Sequence, residues 1–310
     1  VTVLYIYPLP GELGWVLFNA IPHIQYVLQK EGPFDHVLAH ARQTYEDLYR
    51  FADQIKTFDY HKDCTEGNAF VLHRPDAYET YKAHCCRCDQ AADKLCGDGH
   101  EVRKLRLPLK HYRYHRYKMR HRLFKPLTPE ADNLRCWSTR VDPDAVIFHL
   151  RHIDRSLKKN TPRHLYQAVA HWAAKQKRQF VTVGATFGRR LGFAVEGVNL
   201  VNTTTLRDLI SIFHLGGMVV GSSSGPMHMA ALTGTPHVVW GGGRADIRER
   251  YLNRWNPFKV PVDHLTTAFD FRDKAKLKKA LSRMAEHPEA HAERRTNHVE
   301  TFDPISVASC

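Results

Sequence analysis

No run of about eighteen apolar residues occurs anywhere in the 310-residue chain, which excludes a membrane-spanning helix of ordinary length. The opening VTVLYIYPLPGELGW lacks a basic region ahead of its apolar stretch and lacks a small-residue cleavage pattern. The expectation is therefore a soluble protein with no membrane insertion, cytoplasmic in location, or in the host cytoplasm if viral. The glycine and lysine spacing of a P-loop is missing, as is GxGxxG, which disfavours an ATPase and a simple dehydrogenase. The paired CxxC…CxxC pattern of a zinc module is missing too, and the seven cysteines are an odd number. A chain this long does not need a disulfide framework, so reduced thiols are the default.

The cysteines that are present are unevenly placed. Cys64, Cys85, Cys86, Cys88 and Cys96 cluster, whereas Cys136 and Cys310 stand apart. Together with His61 and His100 the cluster could supply four ligands to zinc, because thiolate and imidazole are the ligands that ion prefers. Cys64, Cys85, Cys88 and Cys96 are the candidate set for a structural zinc, and the alternative is buried or idle thiols.

Acidic residues vanish from 103–125, RKLRLPLKHYRYHRYKMRHRLFK, which holds ten Lys/Arg and three His. The whole chain has 45 Lys+Arg against 32 Asp+Glu, a formal charge of +13, and nearly all of the excess lies in this segment. Tyr112, Tyr114 and Tyr117 are interleaved, a mixture suited to neutralising phosphates while stacking on bases. Arg113, Arg116, Tyr117 and Arg120 are the candidate contacts to a polyanion. The alternative is a basic face that is solvated or turned to an acidic surface of the same protein.

With 43% hydrophobic residues the chain can bury a substantial core and is long enough for two domains. VTVLYIY reads as a buried strand, and Trp15 to Gln29 shows helical spacing around Pro22. TYEDLYRFADQI reads as an amphipathic helix with Tyr45, Leu48, Phe51, Ala52 and Ile55 on one side. Between Asp59 and Arg106 no element can be assigned. In the second half AVIFHL, QFVTVG, VNLVN, GMVVG and PHVVWGGG read as strands. Arg163 to Lys175, Thr205 to Leu215 and Pro226 to Leu232 read as helices, and TLRD has capping-box spacing. Short apolar strands alternating with helices imply a mostly parallel sheet covered on both faces, with ligands at the carboxyl ends of the strands. The loops PLPGELG, RHIDRSLKKN, GATFG, GSSSGP and GGGR all fall at such ends.

GSSSGP combines two glycines, three hydroxyls and a proline at a strand-to-helix turn. Helix starts leave amides unsatisfied and favour anions, glycine allows close backbone approach, and proline suits the first helical position. Ser222, Ser223, Ser224, Gly225 and Pro226 thus make a candidate phosphate cradle; the alternative is a plain serine cap on the helix. Arg151, Arg155, Lys158, Lys159 and Asn160 offer enough positive charge and hydrogen bonding for a pyrophosphate leaving group, or form a solvated basic turn. Gly184 joins the donor side from its own strand end. An Asp-x-Asp pair at 142–144 precedes a strand, the wrong place for a metal-binding donor site.

The stretch DLISIFHLGGMVVGSSSGPMHMAALTGTPHVVWGGG resembles the carboxy-terminal donor-binding motif of GT-B glycosyltransferases, particularly the heptosyltransferase-like family. The family pattern D-S-G-P-x-H-x-A-A-x-x-G-x-P is met by Ser224, Gly225, Pro226, His228, Ala230, Ala231, Gly234 and Pro236, whereas its acidic residue falls on Ser223. No heptose donor is inferred, for that reason. The resemblance implies an α/β GT-B fold, two Rossmann-like domains with parallel sheets facing a central cleft. The expected boundaries are 1–137 for the acceptor domain and 138–285 for the nucleotide-sugar domain, with a tail at 286–310 packing back on the first.

It further implies an inverting, metal-independent transfer from a nucleotide-diphosphate sugar, a UDP-sugar being the first candidate, with no required cofactor and with His228 on the donor phosphate. Fixed cations would replace the metal other transferases use. The base that takes the acceptor's proton is expected after the first strand, where Glu12 stands between Gly11 and Gly14; His23 is the reserve. The basic segment points to a DNA-modifying, phage-type member whose acceptor is 5-hydroxymethylcytosine, flipped out of the stack. Two alternatives stay open: transfer to a phosphorylated cell-surface glycan of the lipopolysaccharide-core type, and a non-catalytic nucleic-acid-binding protein on a transferase scaffold.

Overall fold

The strands form two sheets, and every strand pairing among the described residues is parallel. The computed structural model describes residues 1–9, 13–58, 75–106, 123–152, 160–186, 191–241, 248–265 and 274–286. The chain divides into two units, Val1–Lys125 and Pro126–Cys310. This division falls ahead of the expected 137/138 because helix α3 (Ala131–Ser138) is tied to the second unit: Asn133 and Trp137 both donate to Asp208 at 2.9 Å. No helix among the described residues is long and apolar enough to cross a membrane.

In the first unit β1 (Thr2–Ile6), β2 (His36–Arg42), β3 (Gln54–Phe58) and β4 (Glu101–Leu105) lie in the order β3-β2-β1-β4. Central β1 is buried on both faces, as its unbroken apolar run requires. A helical turn (Leu13–Trp15) and a π-helical stretch (Val16–Ala20) lead into α1 (Ile21–Lys30). The π turn fits Pro22, which has no amide and whose ring crowds the carbonyl four residues back; Ile21 donates instead to Val16.

TYEDLY is not the start of the expected amphipathic helix. Gln43–Tyr49 forms a 3-10 turn, and Ile55 belongs to β3. Asp53 is the cause: its amide donates to Val37 O at 2.9 Å and its carboxylate accepts from Val37 N at 2.7 Å, which pins the chain into sheet pairing. The unassigned region contains a 23-residue helix, α2 (Pro75–Gly97), before β4. Its buried residues include Tyr81, Cys88 and Ala92, helically spaced but small or polar-tipped, so a scan for Leu, Ile and Val passes over them.

In the second unit β5 (Val146–Arg151), β6 (Phe180–Ala185), β7 (Val198–Val201), β8 (Met218–Ser222), β9 (His237–Trp240) and β10 (Val262–Leu265) lie in the order β10-β9-β8-β5-β6-β7. The intervening helices are α4 (Arg163–Lys175), α5 (Leu206–Leu215) and α6 (Gly225–Leu232); α7 (Lys274–Ala285) follows β10. The chain moves outward from β5, then returns to the other side of β5 with β8, the doubly wound order. Phe148 is at the centre of the core, 5.0 Å from the Tyr166 ring, 6.0 Å from Phe180 and 5.8 Å from Trp240. The predicted capping box is present: Thr205 Oγ1 accepts from Asp208 N, and Asp208 accepts from Thr205 N at 2.9 Å.

Candidate functional site

The strand order of the second sheet reverses between β5 and β8, and the carboxyl ends of these two parallel strands are where a doubly wound sheet binds its ligand. His149 on β5 lies level with Gly221 on β8. A Cβ on Gly221 would sit 2.6 Å from Met227 Sδ and 2.9 Å from His149 Cβ. The strand-to-helix packing therefore demands this glycine, rather than a ligand's approach.

The three serines differ in their bonding. Ser222 is fully buried, and its hydroxyl has no hydrogen-bond partner among the described residues. Ser223 N donates to Trp240 O at 2.7 Å, and its hydroxyl accepts from Tyr251 at 3.0 Å. Burial raises the Tyr251 phenol, which therefore keeps its proton. Ser224, in extended backbone at φ −160°, donates its hydroxyl to Ser222 O at 2.9 Å and lies 3.4 Å from His149 Nδ1. It does not cap α6, so the plain serine cap is not the arrangement found. Burial, reinforced by the Arg151 charge, pulls the His149 imidazole down to about 3, leaving it neutral. With the Ser224 proton already committed, His149 is the donor to Ser224, which places the imidazole proton on Nδ1.

The neighbouring strand ends are also fixed by local bonds. The Arg151 backbone is clamped by Thr161, whose hydroxyl accepts from Arg151 N at 3.1 Å and whose amide donates to Arg151 O at 2.9 Å. Asn160 is partly buried beside it, while Arg155, Lys158 and Lys159 lie outside the described residues. Gly184 has φ +131°, and a Cβ there would fall 2.0 Å from Leu150 O, so strand pairing alone requires it. Asn202 bridges the next two strand ends, accepting from Thr186 N and donating to Thr186 Oγ1, both at 2.9 Å. Gly225 and Pro226 open α6. His228, 8% exposed, is stacked on Tyr251 at 5.1 Å and set edge-on to Trp255 at 4.8 Å. Tyr251, Trp255 and His149 are the residues that the sequence reading missed. His149 left a signal, a polar side chain inside an apolar strand; the two aromatics left none.

In the first unit Glu12 lies outside the described residues, between Leu9 and Leu13. His23, the reserve base, is 5% exposed and stacked on Tyr26 at 6.4 Å within α1. Arg113, Arg116, Tyr117 and Arg120 are also outside the described residues. The start of the basic segment is described, and it is paired within its own unit: Arg103 with Glu31, Lys104 with Asp93, and Arg106 with Asp89. Arg106 also stacks 4.5 Å over Tyr7, whose hydroxyl donates to Asp89 at 2.6 Å.

The cysteines gather differently from the expected zinc set. Cys64 is outside the described residues, Cys96 is exposed on the last turn of α2, and Cys85 lies near Tyr81. Cys88 instead meets His40 of β2 and His84 of α2. His40 Nε2 lies 2.8 Å from the Tyr5 hydroxyl. Burial first, then the His84 and Lys56 charges, lower His40 to about 4, and burial pushes the Cys88 thiol up to about 11.

No family model matches the chain, and no curated protein matches it. Solved structures do. The E. coli ADP-heptose lipopolysaccharide heptosyltransferase II is similar over 93% of this chain and 100% of its own, at 15% identity and a TM-score of 0.60. A family 9 glycosyltransferase from Veillonella parvula is similar over 90% of this chain and 89% of its own, at 13% identity and a TM-score of 0.57. E. coli heptosyltransferase WaaC, solved with ADP-2-deoxy-2-fluoro heptose, covers 92% of this chain and 99% of its own at 12% identity and a TM-score of 0.51. At these identities the likeness defines the fold: the chain is an α/β protein of the GT-B glycosyltransferase architecture.

Proposed function

We propose that the chain is a glycosyltransferase that takes a sugar from a nucleotide-diphosphate donor and transfers it, with inversion and without a catalytic metal, to a hydroxyl of a phosphorylated cell-surface glycan. The observation that carries this reading is the Ser222–Ser224 turn at the β5/β8 switch point, opening a helix that no serine side chain caps. The amides of a helix start at such a point suit a diphosphate. In this reading Ser222, Ser223, Ser224, Gly225, Pro226 and His228 hold the donor. Arg151, Arg155, Lys158, Lys159 and Asn160 stabilise the charge that develops on the leaving nucleotide, and Glu12 takes the acceptor's proton. The glycan acceptor is supported by the lipopolysaccharide heptosyltransferase among the similar structures.

A second reading keeps 5-hydroxymethylcytosine in DNA as the acceptor. It is favoured by the six Lys/Arg and three tyrosines at 107–122, and weakened by the internal pairing of Arg103, Lys104 and Arg106. One experiment separates them. The full chain is incubated, without added metal, with a panel of ADP-, UDP-, GDP- and dTDP-sugars and either de-acylated lipopolysaccharide core or duplex DNA containing hydroxymethylcytosine, followed by mass spectrometry. Transfer to the core supports the first reading and a sugar-sized gain on the modified base supports the second. Neither transfer nor hydrolysis nor binding of any nucleotide sugar defeats both.

A further inference from the structure

The histidines and thiol between β2 and α2 take no part in the proposed transfer, yet their geometry is specific. His40 comes from a strand, and His84 and Cys88 stand one turn apart on a helix, so two elements remote in sequence bring three donor atoms to one point. His40 Nδ1 lies 3.3 Å from His84 Nε2 and 3.6 Å from Cys88 Sγ. All three donor atoms fall within 4.8 Å of one another. A tetrahedral zinc-class ion, about 2.0–2.1 Å from nitrogen and about 2.3 Å from sulfur, holds its ligand atoms about 3.3 Å (N to N) and about 3.6 Å (N to S) apart. Both His40 separations coincide with those tetrahedral edges. As hydrogen bonds the same contacts are poorly served, because His40 Nδ1 carries one proton or one lone pair and has two neighbours to satisfy, while Nε2 is already engaged by Tyr5.

We propose that His40 Nδ1, His84 Nε2 and Cys88 Sγ bind one transition-metal dication of the zinc class. The fourth position falls to water or an external ligand, since no fourth His, Cys, Asp or Glu joins the group among the described residues. Tyr5 is the outer partner: coordination at Nδ1 fixes the His40 proton on Nε2, which donates to the Tyr5 oxygen. Binding releases the Cys88 thiol proton to solvent, and the resulting thiolate neutralises one of the two positive charges. Arg87 is the competitor. Its Nη2 donates to His84 Nδ1 at 3.1 Å, which leaves a neutral His84 with its proton on Nε2, the wrong tautomer for the metal. Arg87 is exposed and must swing away as the ion enters.

The test uses the full chain, reduced and stripped with a chelator, then titrated with Co²⁺ while the tetrahedral visible bands and the thiolate charge-transfer band are followed. Zn²⁺ is then titrated against a chromophoric chelator. One ion per chain with a thiolate band is expected. Cys88→Ser should abolish that band and weaken binding by more than the about 10- to 100-fold expected for loss of an outer partner. Tyr5→Phe should weaken binding about 10-fold, Arg87→Met should strengthen it, and Cys96→Ser should leave it unchanged. His84→Gln, at a partly buried position, serves as the second ligand variant should Cys88→Ser fail to fold. A folded wild-type chain that binds no ion, binding without a thiolate band, or binding that survives loss of either ligand overturns the assignment.

Discussion

The two units share one topological plan and fill it with different chemistry. In each, three strands run outward and the next returns to the other side of the first, so β1/β4 and β5/β8 are equivalent switch points. The second unit is held by apolar packing around Phe148, with the rings of Tyr166, Phe180 and Trp240 within 6.0 Å. The first also has an apolar core, with Leu4, Ile6, Phe18 and Ile24 buried, but on the α2 side of β1 it adds hydrogen-bonded tyrosines: Tyr5 to His40 and Tyr7 to Asp89. On that face each buried polar group needs a partner, which fixes its position closely but adds less stability per residue than apolar burial. In the second unit the buried Ser222 hydroxyl, at the switch point, has no partner among the described residues.

That contrast can be broken first at Gly184. Gly184→Ala forces a side chain into positive φ and against Leu150 O, so it should destabilise the second unit by about 4 kcal/mol, from backbone strain and overpacking together. Chemical denaturation checks this, and the loss should appear whether or not a nucleotide sugar is present. Phe148→Ala removes the ring at the centre of the core and should cost about 3–4 kcal/mol by the same measurement.

Asp208 gives a pH-dependent test in the same unit. Burial alone would raise its carboxyl, but hydrogen bonds from Asn133, the Thr205 amide and hydroxyl, and the Trp137 indole outweigh it and hold it below the usual carboxylate range. A depressed pKa in the folded state contributes stability above the unfolded value of about 3.9 and loses it as pH falls through the folded value. Asp208→Asn should therefore destabilise by about 2 kcal/mol at pH 7, from the lost cap and charged hydrogen bonds. The gap to wild type should shrink steadily below about pH 4; a gap that stayed constant there would show that the charge is not the stabilising feature.

The smallest effect belongs to the hydrogen-bonded face of β1 in the first unit. Tyr7→Phe removes one hydroxyl from Asp89 while Arg106 remains as its partner, so a loss of about 1 kcal/mol is expected. A loss as large as that of Phe148→Ala would mean that the first unit depends on its polar network as heavily as the second does on its core.

Much of this protein was legible along the chain. Strands β5 to β9, the Thr205–Asp208 capping box and the turn before Pro226 all follow from contacts within a few residues, which is the range over which periodicity and capping chemistry act; β10 was not read from the sequence. Helix α2 was not, because its buried residues are Tyr, Cys and Ala rather than large aliphatics. Gly221 and Gly184 invited a ligand-binding explanation, and only the fold shows that Met227, His149 and Leu150 already occupy the space beside them.

By itself the sequence determined that alternating strands and helices would form parallel sheets, and that hydroxyls and glycines would gather at strand ends. Tertiary structure alone decided which ends became neighbours. Parallel pairing joins residues far apart in the chain, so the meeting of His149 with Ser224 across 75 positions, and of His40 with Cys88 across 48, depends on strand order and helix docking rather than on any local pattern.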